Sequence, residues 1–315
     1  MSLSGVQVLV TGGAGFIGHH LVTALANRGA RVRVFDDLSS GRAARLESLS
    51  GRIELVVGSV ADPVALAQAV RNVEIVFHEA ALVSVPQSIG RPLDYQLVNS
   101  TGTLNVLESA RRAGVRRVVY AASSSAYGPQ QNMPLVEAMR PNPISPYAVT
   151  KLSGELHCSV YATAYGLETI SLRYFNVFGP GQDLKSQYGA LIPNVATRIL
   201  RGQRPVVYGD GGQTRDFCFV GNIVEANLLA AEAPQLPGDV VNIACGRRVS
   251  INQVVQLTNR LLGTDIQIDY QPVRAGEVRD SLADVSKARA IIGYKPNVQF
   301  EEGLGRAIEF YRTLV

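Results

Sequence analysis

Short apolar runs and amphipathic stretches alternate along the first half of the chain. VQVLV (6–10), RVRVF (31–35), IELVV (53–57), EIVF (74–77), RRVVYAA (116–122) and ETISLRY (168–174) are short and mostly rich in β-branched residues, which predicts strands. Between them, stretches such as GFIGHHLVTALANRG and YQLVNSTGTLNVLESARRAG show helical periodicity and close on Gly, which predicts helices. Strands apolar on both faces, alternating with helices, imply an α/β protein built on a parallel sheet covered on both sides. After about residue 175 the texture changes, because FGPGQD, YGDGGQTRDF and PQLPGD are loop-rich. The pattern therefore predicts a sheet domain over 1–175 and a smaller α/β carboxyl-terminal lobe over 176–315. The stretch 218–245 is apolar enough to pack back on the first domain, so the boundary is not a single cut.

Composition narrows the function classes. The chain has 315 residues, 46% hydrophobic and 18% charged, with a net charge of +4. Its 26 Arg and 4 Lys are spread along the sequence, so no nucleic-acid-binding stripe is expected. Three cysteines, with no CxxC pair, read as reduced thiols of a cytoplasmic protein. Four His without ligand spacing give no metal site. No apolar run approaches the ~18 residues needed to span a bilayer, and the amino terminus, running straight into a strand, shows no signal peptide.

VLVTGGAGFIGHHL places Gly12, Gly15 and Gly18 at GxxGxxG spacing, from the end of the first strand into the first helix. Such glycines permit a tight turn, close approach of a pyrophosphate to the helix amino terminus, and close helix-to-sheet packing. Asp36, ending the second strand in VFDD, is placed to accept hydrogen bonds from the adenosine ribose hydroxyls. A carboxylate there repels a 2′-phosphate, so NAD is expected over NADP, with Arg42 and Arg45 just beyond as the residues that keep the choice open. This is the pattern of a Rossmann-type doubly wound sheet.

The chain resembles the extended short-chain dehydrogenase/reductase family, and in particular its nucleotide-sugar 4-epimerases. The resemblance rests on GxxGxxG, HEAAL, SSSAYG, SPYAVTK, RYFNVFGPGQ, GDGGQTRDF and RAGEVRDSLADVSKA, in family order over essentially the whole chain. It implies a catalytic set of Ser123, Tyr147 and Lys151. Tyr147 and Lys151 stand four apart in a helical segment, hence on one face one turn apart. An amphipathic helix whose Tyr packs and whose Lys reaches water gives the same spacing. Beside a dinucleotide site, a lysine ammonium is expected to lower the phenol's pKa and make it a base. For the cofactor, the resemblance implies contacts from Gly12, Gly15, Phe16, Ile17, Gly18, Asp36, Asp37, Leu38, Ser39, Gly41, Ser59, Val60, Ala80, Ala81, Leu82, Asn99, Tyr147, Lys151 and Tyr174. For a UDP-sugar it implies Ser123, Ser124, Ser125, Tyr147, Asn176, Ala190, Leu191, Tyr208, Arg215, Arg274, Glu277 and Ser281. Arg215 and Arg274 would grip the diphosphate, Glu277 the nucleotide ribose, and Leu191 and Tyr208 the uracil.

Two absences sort the chemistry implied by the resemblance. Related dehydratases carry Asp-Glu where Ser124 and Ser125 stand, and related decarboxylases carry Glu at the Ser125 position. Hydroxyls at both positions leave redox at C4 of a UDP-hexose. Ser281 stands where relatives restricted to plain hexoses carry tyrosine, which leaves room for an acetamido group and points to UDP-GlcNAc and UDP-GalNAc. The rival expectations are a UDP-glucuronate 4-epimerase and, in another class, a catalytically silent dinucleotide sensor. The family further implies a homodimer built on the helix bearing Tyr147.

Overall fold

The computed structural model describes residues 2–183, 191–273 and 278–315. The first domain runs β1 (Gln7–Thr11), α1 (Phe16–Asn27), β2 (Arg31–Asp36), β3 (Ile53–Val57), α2 (Pro63–Ala69), β4 (Ile75–His78), α3 (Val85–Gly90), α4 (Pro92–Tyr95), α5 (Gly102–Arg112), β5 (Arg117–Ser123), α6 (Pro146–Tyr165) and β6 (Glu168–Tyr174). The remainder runs β7 (Val177–Phe178), α7 (Leu191–Leu200), β8 (Val206–Tyr208), β9 (Thr214–Arg215), β10 (Cys218–Phe219), α8 (Val220–Glu232), β11 (Pro237–Ile243), β12 (Val249–Ser250), α9 (Ile251–Leu262), β13 (Asp269–Gln271), α10 (Ser286–Ile292) and α11 (Phe300–Arg312).

Seven parallel strands form the central sheet in the order β11-β6-β5-β4-β1-β2-β3. From β1 the chain winds outward through β2 and β3, then resumes on the other side at β4. The crevice between β1 and β4, at the carboxyl ends of the strands, is the usual ligand site of such a sheet. The doubly wound α/β sheet expected from the sequence is therefore present. Coverage of both faces fails at its edge, however. β3 carries only an outer position of the sheet, and Leu55 and Val57 are 37% and 63% exposed. An apolar run tells neither which strand is outermost nor how far the flanking helices reach.

Four packed cores appear among the described residues, three large ones and a small one around Tyr127 and Phe175. One lies between the sheet and α1 and α8, and includes Val8, Leu21, Ile223, Ile243 and Tyr294. A second, on the opposite face, joins the sheet to α2, α5 and α6. A third is built on Phe178, Phe217, Phe219 and Phe300 with α7, α9 and α11. Burying such apolar area, at roughly 25 cal/mol per Å², is the main stabilising term.

Helix α6 matters most for the site. Ser145 caps it, its side chain accepting from the Ala148 N–H at 3.2 Å, and Pro146 occupies the first turn, where a missing N–H costs nothing. Gly166, at φ 70°, ends it in the left-handed region that favours glycine. Within it, a Cβ on Gly154 would stand 2.2 Å from the Tyr120 hydroxyl, so the helix lies flush on β5. Among the described residues, no helix is long and apolar enough to cross a membrane.

Candidate active site

The Gly-rich turn is shaped by contacts that leave no room for side chains. Gly12 has φ 70°, and a Cβ on it would lie 2.6 Å from the Ala80 nitrogen; a Cβ on Gly18 would lie 2.1 Å from the Gly12 carbonyl oxygen. Gly15, by contrast, caps α1 without any side-chain hydrogen bond, so the first-turn N–H groups at Phe16 and Ile17 follow an uncapped, electropositive helix end. Asp36 is buried at the end of β2. Its oxygens accept the Ala14 N–H at 2.9 Å and the Leu38 N–H at 2.8 Å, which leaves lone pairs for further donors. Leu38 turns the chain at φ 58°, Asp37 accepts from the Ser39 N–H and hydroxyl at 2.9 and 2.6 Å, and a Cβ on Gly41 would collide with Asp36 at 2.6 Å.

The arginines that left NAD and NADP open are engaged elsewhere. Arg45 donates to the Gly181 and Ala14 carbonyls at 2.7 and 3.3 Å, and Arg42 pairs with Asp183 at 3.4 Å. Ser59 and Val60 follow β3, and Val60 is packed where a Cβ on Gly102 would stand. Ala80, Ala81 and Leu82 follow β4. Asn99 lies in a single wide i→i+5 turn at 96–101 and holds that loop, accepting from the Leu82 N–H at 2.8 Å and donating to its carbonyl at 2.9 Å. Tyr174 ends β6, and its hydroxyl donates to Glu79 at 2.7 Å.

Ser123 and Tyr147 are brought together. The Ser123 hydroxyl faces the Tyr147 phenol, and the Tyr147 ring is braced edge-on by Tyr95, with centroids 6.4 Å apart. Ser123 also accepts from the Ser125 N–H and hydroxyl at 3.2 and 2.9 Å, and Ser124 opens the turn that follows β5. Burial pushes the Tyr147 phenol above its usual value, and the Ser123 contact pulls it back. The direct pull expected from Lys151 is not what the geometry gives. Its ammonium donates instead to the Ala121 carbonyl at 2.7 Å, on the sheet side of the helix.

The second-lobe residues approach from loops and short ribbons. Asn176 has φ 30° and donates to the Asp216 carbonyl at 3.1 Å and to the Ser281 hydroxyl at 3.2 Å. Ser281 also accepts from the Asp216 N–H at 3.3 Å. Asn176 and Ser281, 105 residues apart, are thus neighbours. Arg215 in β9 donates to the Thr214 and Arg279 carbonyls at 2.9 and 2.8 Å. Tyr208 ends β8, and Leu191 begins α7 on the fringe of the third core. Ala190, Arg274 and Glu277 lie outside the described residues. Two cysteines far apart in sequence also become neighbours, Cys218 and Cys245, a juxtaposition that spacing alone does not reveal.

Residues 8–244 match the model of the NAD dependent epimerase/dehydratase family. The chain is 36% identical to the UDP-glucose 4-epimerase of Mycolicibacterium smegmatis, over 98% of this chain and 99% of that one. Among solved structures, it is 38% identical to a UDP-N-acetylglucosamine 4-epimerase from Methanobrevibacter ruminantium M1, solved with UDP-N-acetylmuramic acid, with a TM-score of 0.95 over 99% of this chain and 100% of that one. It is 34% identical to the Thermus thermophilus UDP-glucose 4-epimerase solved with NAD, with a TM-score of 0.90 over 98% and 100% of the two chains. The chain belongs to the NAD-dependent epimerase/dehydratase family. It is an enzyme that uses NAD, and the close glycine turn, the uncapped helix end and the inward Asp36 fit that cofactor.

Proposed function

We propose that this enzyme is a UDP-sugar 4-epimerase whose substrates are UDP-GlcNAc and UDP-GalNAc, with UDP-glucose and UDP-galactose also admitted. The carrying observation is the Ser123–Tyr147 pair at the sheet edge, with hydroxyls and no carboxyl groups at 124 and 125. Tyr147 takes the proton of the sugar C4 hydroxyl, and Ser123, hydrogen-bonded to both reacting oxygens, steadies the transfer. When bound, NAD accepts the hydride from C4 and returns it, and its cationic ring adds the positive charge that favours the phenolate. Lys151 would hold the nicotinamide ribose. Turning of the 4-keto sugar between the two transfers inverts C4, and Tyr147 gives the proton back. Ser124 and Ser125 lack the acid and base that water elimination or decarboxylation needs.

The acetylated substrates are supported by the small side chain of Ser281 beside Asn176, and by the likeness to a UDP-N-acetylglucosamine 4-epimerase. Arg215 is assigned the diphosphate, as a planar donor suited to bidentate contacts. Turnover of a panel of UDP-sugars, with the C4 epimers separated, is the test. The expected result is interconversion of UDP-GlcNAc and UDP-GalNAc. Turnover of UDP-glucuronate alone overturns the assignment in favour of its rival, and no turnover with NAD bound favours a silent sensor.

A homodimer and a cytoplasmic setting belong to the same proposal. Leu93, Leu97, Leu104, Val149, Leu156 and Val160 are 81%, 50%, 37%, 49%, 60% and 54% exposed, on α4, the wide turn, α5 and α6. An apolar face of this kind, shared by α4, the wide turn, α5 and α6, suits a second copy of the chain. Light scattering should give twice the chain mass, and Leu156→Glu should give the single chain.

A further inference from the structure

His78 opens HEAAL and has no part in the reaction assigned to Ser123, Tyr147 and Lys151. It ends β4 and is buried. Its Nδ1 lies 2.7 Å from Thr11 Oγ1 at the end of β1, and its Nε2 lies 2.9 Å from Thr103 Oγ1 in α5. Both threonines are buried as well, and each makes a second bond that leads to the carboxyl edge of the sheet. The Ala80 N–H donates to Thr11 Oγ1 at 3.3 Å, and the Thr103 hydroxyl donates to the Asn99 carbonyl at 2.5 Å. Asn99 in turn clasps Leu82 by its N–H and its carbonyl, and donates to Thr150 Oγ1 on α6 at 3.2 Å. Two routes from one imidazole thus reach the two ends of the segment 80–82.

The direction of every hydrogen in this chain follows from what each group can do. A carbonyl oxygen only accepts, so the single hydroxyl proton of Thr103 is committed to Asn99. Thr103 Oγ1 can therefore only accept from the ring, and His78 Nε2 must carry a hydrogen. The ring itself is neutral, because hydroxyls and no carboxylate meet both its nitrogens, and burial pushes it down to about 3. Nδ1 is then bare and takes the Thr11 hydroxyl proton, and Thr11 Oγ1 keeps a lone pair for the Ala80 N–H. The other tautomer would leave a buried ring nitrogen facing Thr103 with no donor between them.

We propose that His78 is a positioning residue for NAD: held as the Nε2–H tautomer, it sets the Ala80–Leu82 backbone from both ends, through Thr11 and through Thr103 with Asn99. The inference rests on that segment facing the cofactor, as the family resemblance implies. The same backbone walls the glycine turn, since a Cβ on Gly12 would stand 2.6 Å from the Ala80 nitrogen. A small shift at Ala80 therefore changes the room left for the dinucleotide. A histidine suits the task because its rigid ring donates on one side and accepts on the other, and so spans from β1 to α5.

The chain has only four histidines, at 19, 20, 78 and 157, so their ring nitrogens are separable by ¹⁵N NMR of histidine-labelled protein. His19→Gln, His20→Gln and His157→Gln, made singly, assign the other three. At neutral pH, His78 is expected to show a protonated Nε2 and a bare, accepting Nδ1. Thr103→Val keeps the side-chain shape but removes the acceptor, so the ring proton should move to Nδ1, where Thr11 Oγ1 accepts it. Thr11→Val removes the acceptor of the Ala80 N–H, and the Kd for NAD is expected to rise about tenfold. Thr11→Ser, which restores the hydroxyl, should bring the affinity back, and the affinity for UDP should stay level in both. A protonated Nδ1 in the unsubstituted protein overturns the proposal. So does an unchanged NAD Kd in folded Thr11→Val, or a loss there that Thr11→Ser does not repair. Should Thr11→Val not fold, a Thr103→Val protein with unaltered tautomer and NAD affinity overturns it equally. The tautomer is read without turnover, so its outcome does not depend on which sugar the enzyme takes.

Discussion

The two lobes hold their candidate site groups by different means. In the sheet domain the groups sit at the ends of parallel strands or on a helix pressed against them, and backbone geometry decides where they go. Asp36 is fixed by two N–H donors, Tyr147 by Ser123 and Tyr95, and the turn at Gly12 by contacts that admit no Cβ. In the second lobe β8, β9 and β13 are two or three residues long, and Arg215, Asn176 and Ser281 are half-exposed side chains held by one another and by loop carbonyls. Rigid placement suits atoms that react, and adjustable placement suits the recognition of one sugar among several. Substitutions in the first lobe should therefore remove chemistry, and those in the second should redirect or weaken binding.

The sharpest test of the first half is Tyr147→Phe. It removes one oxygen and leaves the ring against Tyr95. Epimerisation is expected to fall by about 10²–10⁴, the range for losing a general base, with UDP-sugar affinity and bound NAD unchanged. Near-normal turnover would return the Tyr147–Lys151 spacing to an ordinary amphipathic helix. The counterpart in the second lobe is Ser281→Tyr. A bulky ring beside Asn176 should exclude an acetamido group by overlap while plain hexoses still enter, because the discrimination rests on a clash. The ratio of kcat/KM for acetylated over plain sugars is expected to fall by about 10–200-fold. Equal loss on both classes would mean general damage, and an unchanged ratio would place Ser281 outside the pocket.

Arg215→Lys probes the same lobe more gently. The lysine keeps the charge but loses the planar fork, so about 1.4 kcal/mol, tenfold in KM for the UDP-sugar, is the expected cost, with kcat kept. A fall in kcat with constant KM would move Arg215 from binding to the reacting end and break the division between lobes.

What was legible in the sequence follows the same division. Six of the seven sheet strands appear as short apolar runs, and the seventh, β11, lies inside the 218–245 stretch whose apolar character marked it for the first domain. The glycine spacing and the four-residue step from Tyr147 to Lys151 are local, so a linear pattern carries them. Contacts between distant segments do not show in such a pattern. The direction of the Lys151 ammonium depends on how closely Gly154 lets α6 approach β5. The exposure of β3 depends on strand order, and the Thr11–His78–Thr103 chain joins three elements across 92 residues of sequence. Arg42 and Arg45 looked like possible partners of a 2′-phosphate until the structure showed them engaged with Asp183 and with the Gly181 and Ala14 carbonyls.

That last contact supplies the smallest and most discriminating test of the comparison, because Arg45 joins the two halves. Its guanidinium bonds Ala14 in the glycine turn and Gly181 in the loop leading to the second lobe, beside the bond from His20 Nε2 to the Pro180 carbonyl at 2.8 Å. Arg45→Met keeps much of the side-chain volume and removes both donors. Net hydrogen bonds of this kind contribute about 1 kcal/mol, and in a chain of this size that corresponds to a fall of about 2 °C in Tm. If the bond serves mainly to set the angle between the lobes, KM for the UDP-sugar should rise a few-fold while the NAD content of the purified protein stays the same. Since His20 still ties the loop to α1, the loss should not exceed that. Loss of NAD with unaltered KM would instead make Arg45 part of the cofactor site, and the loop at 179–183 would then belong with the rigid half of the molecule.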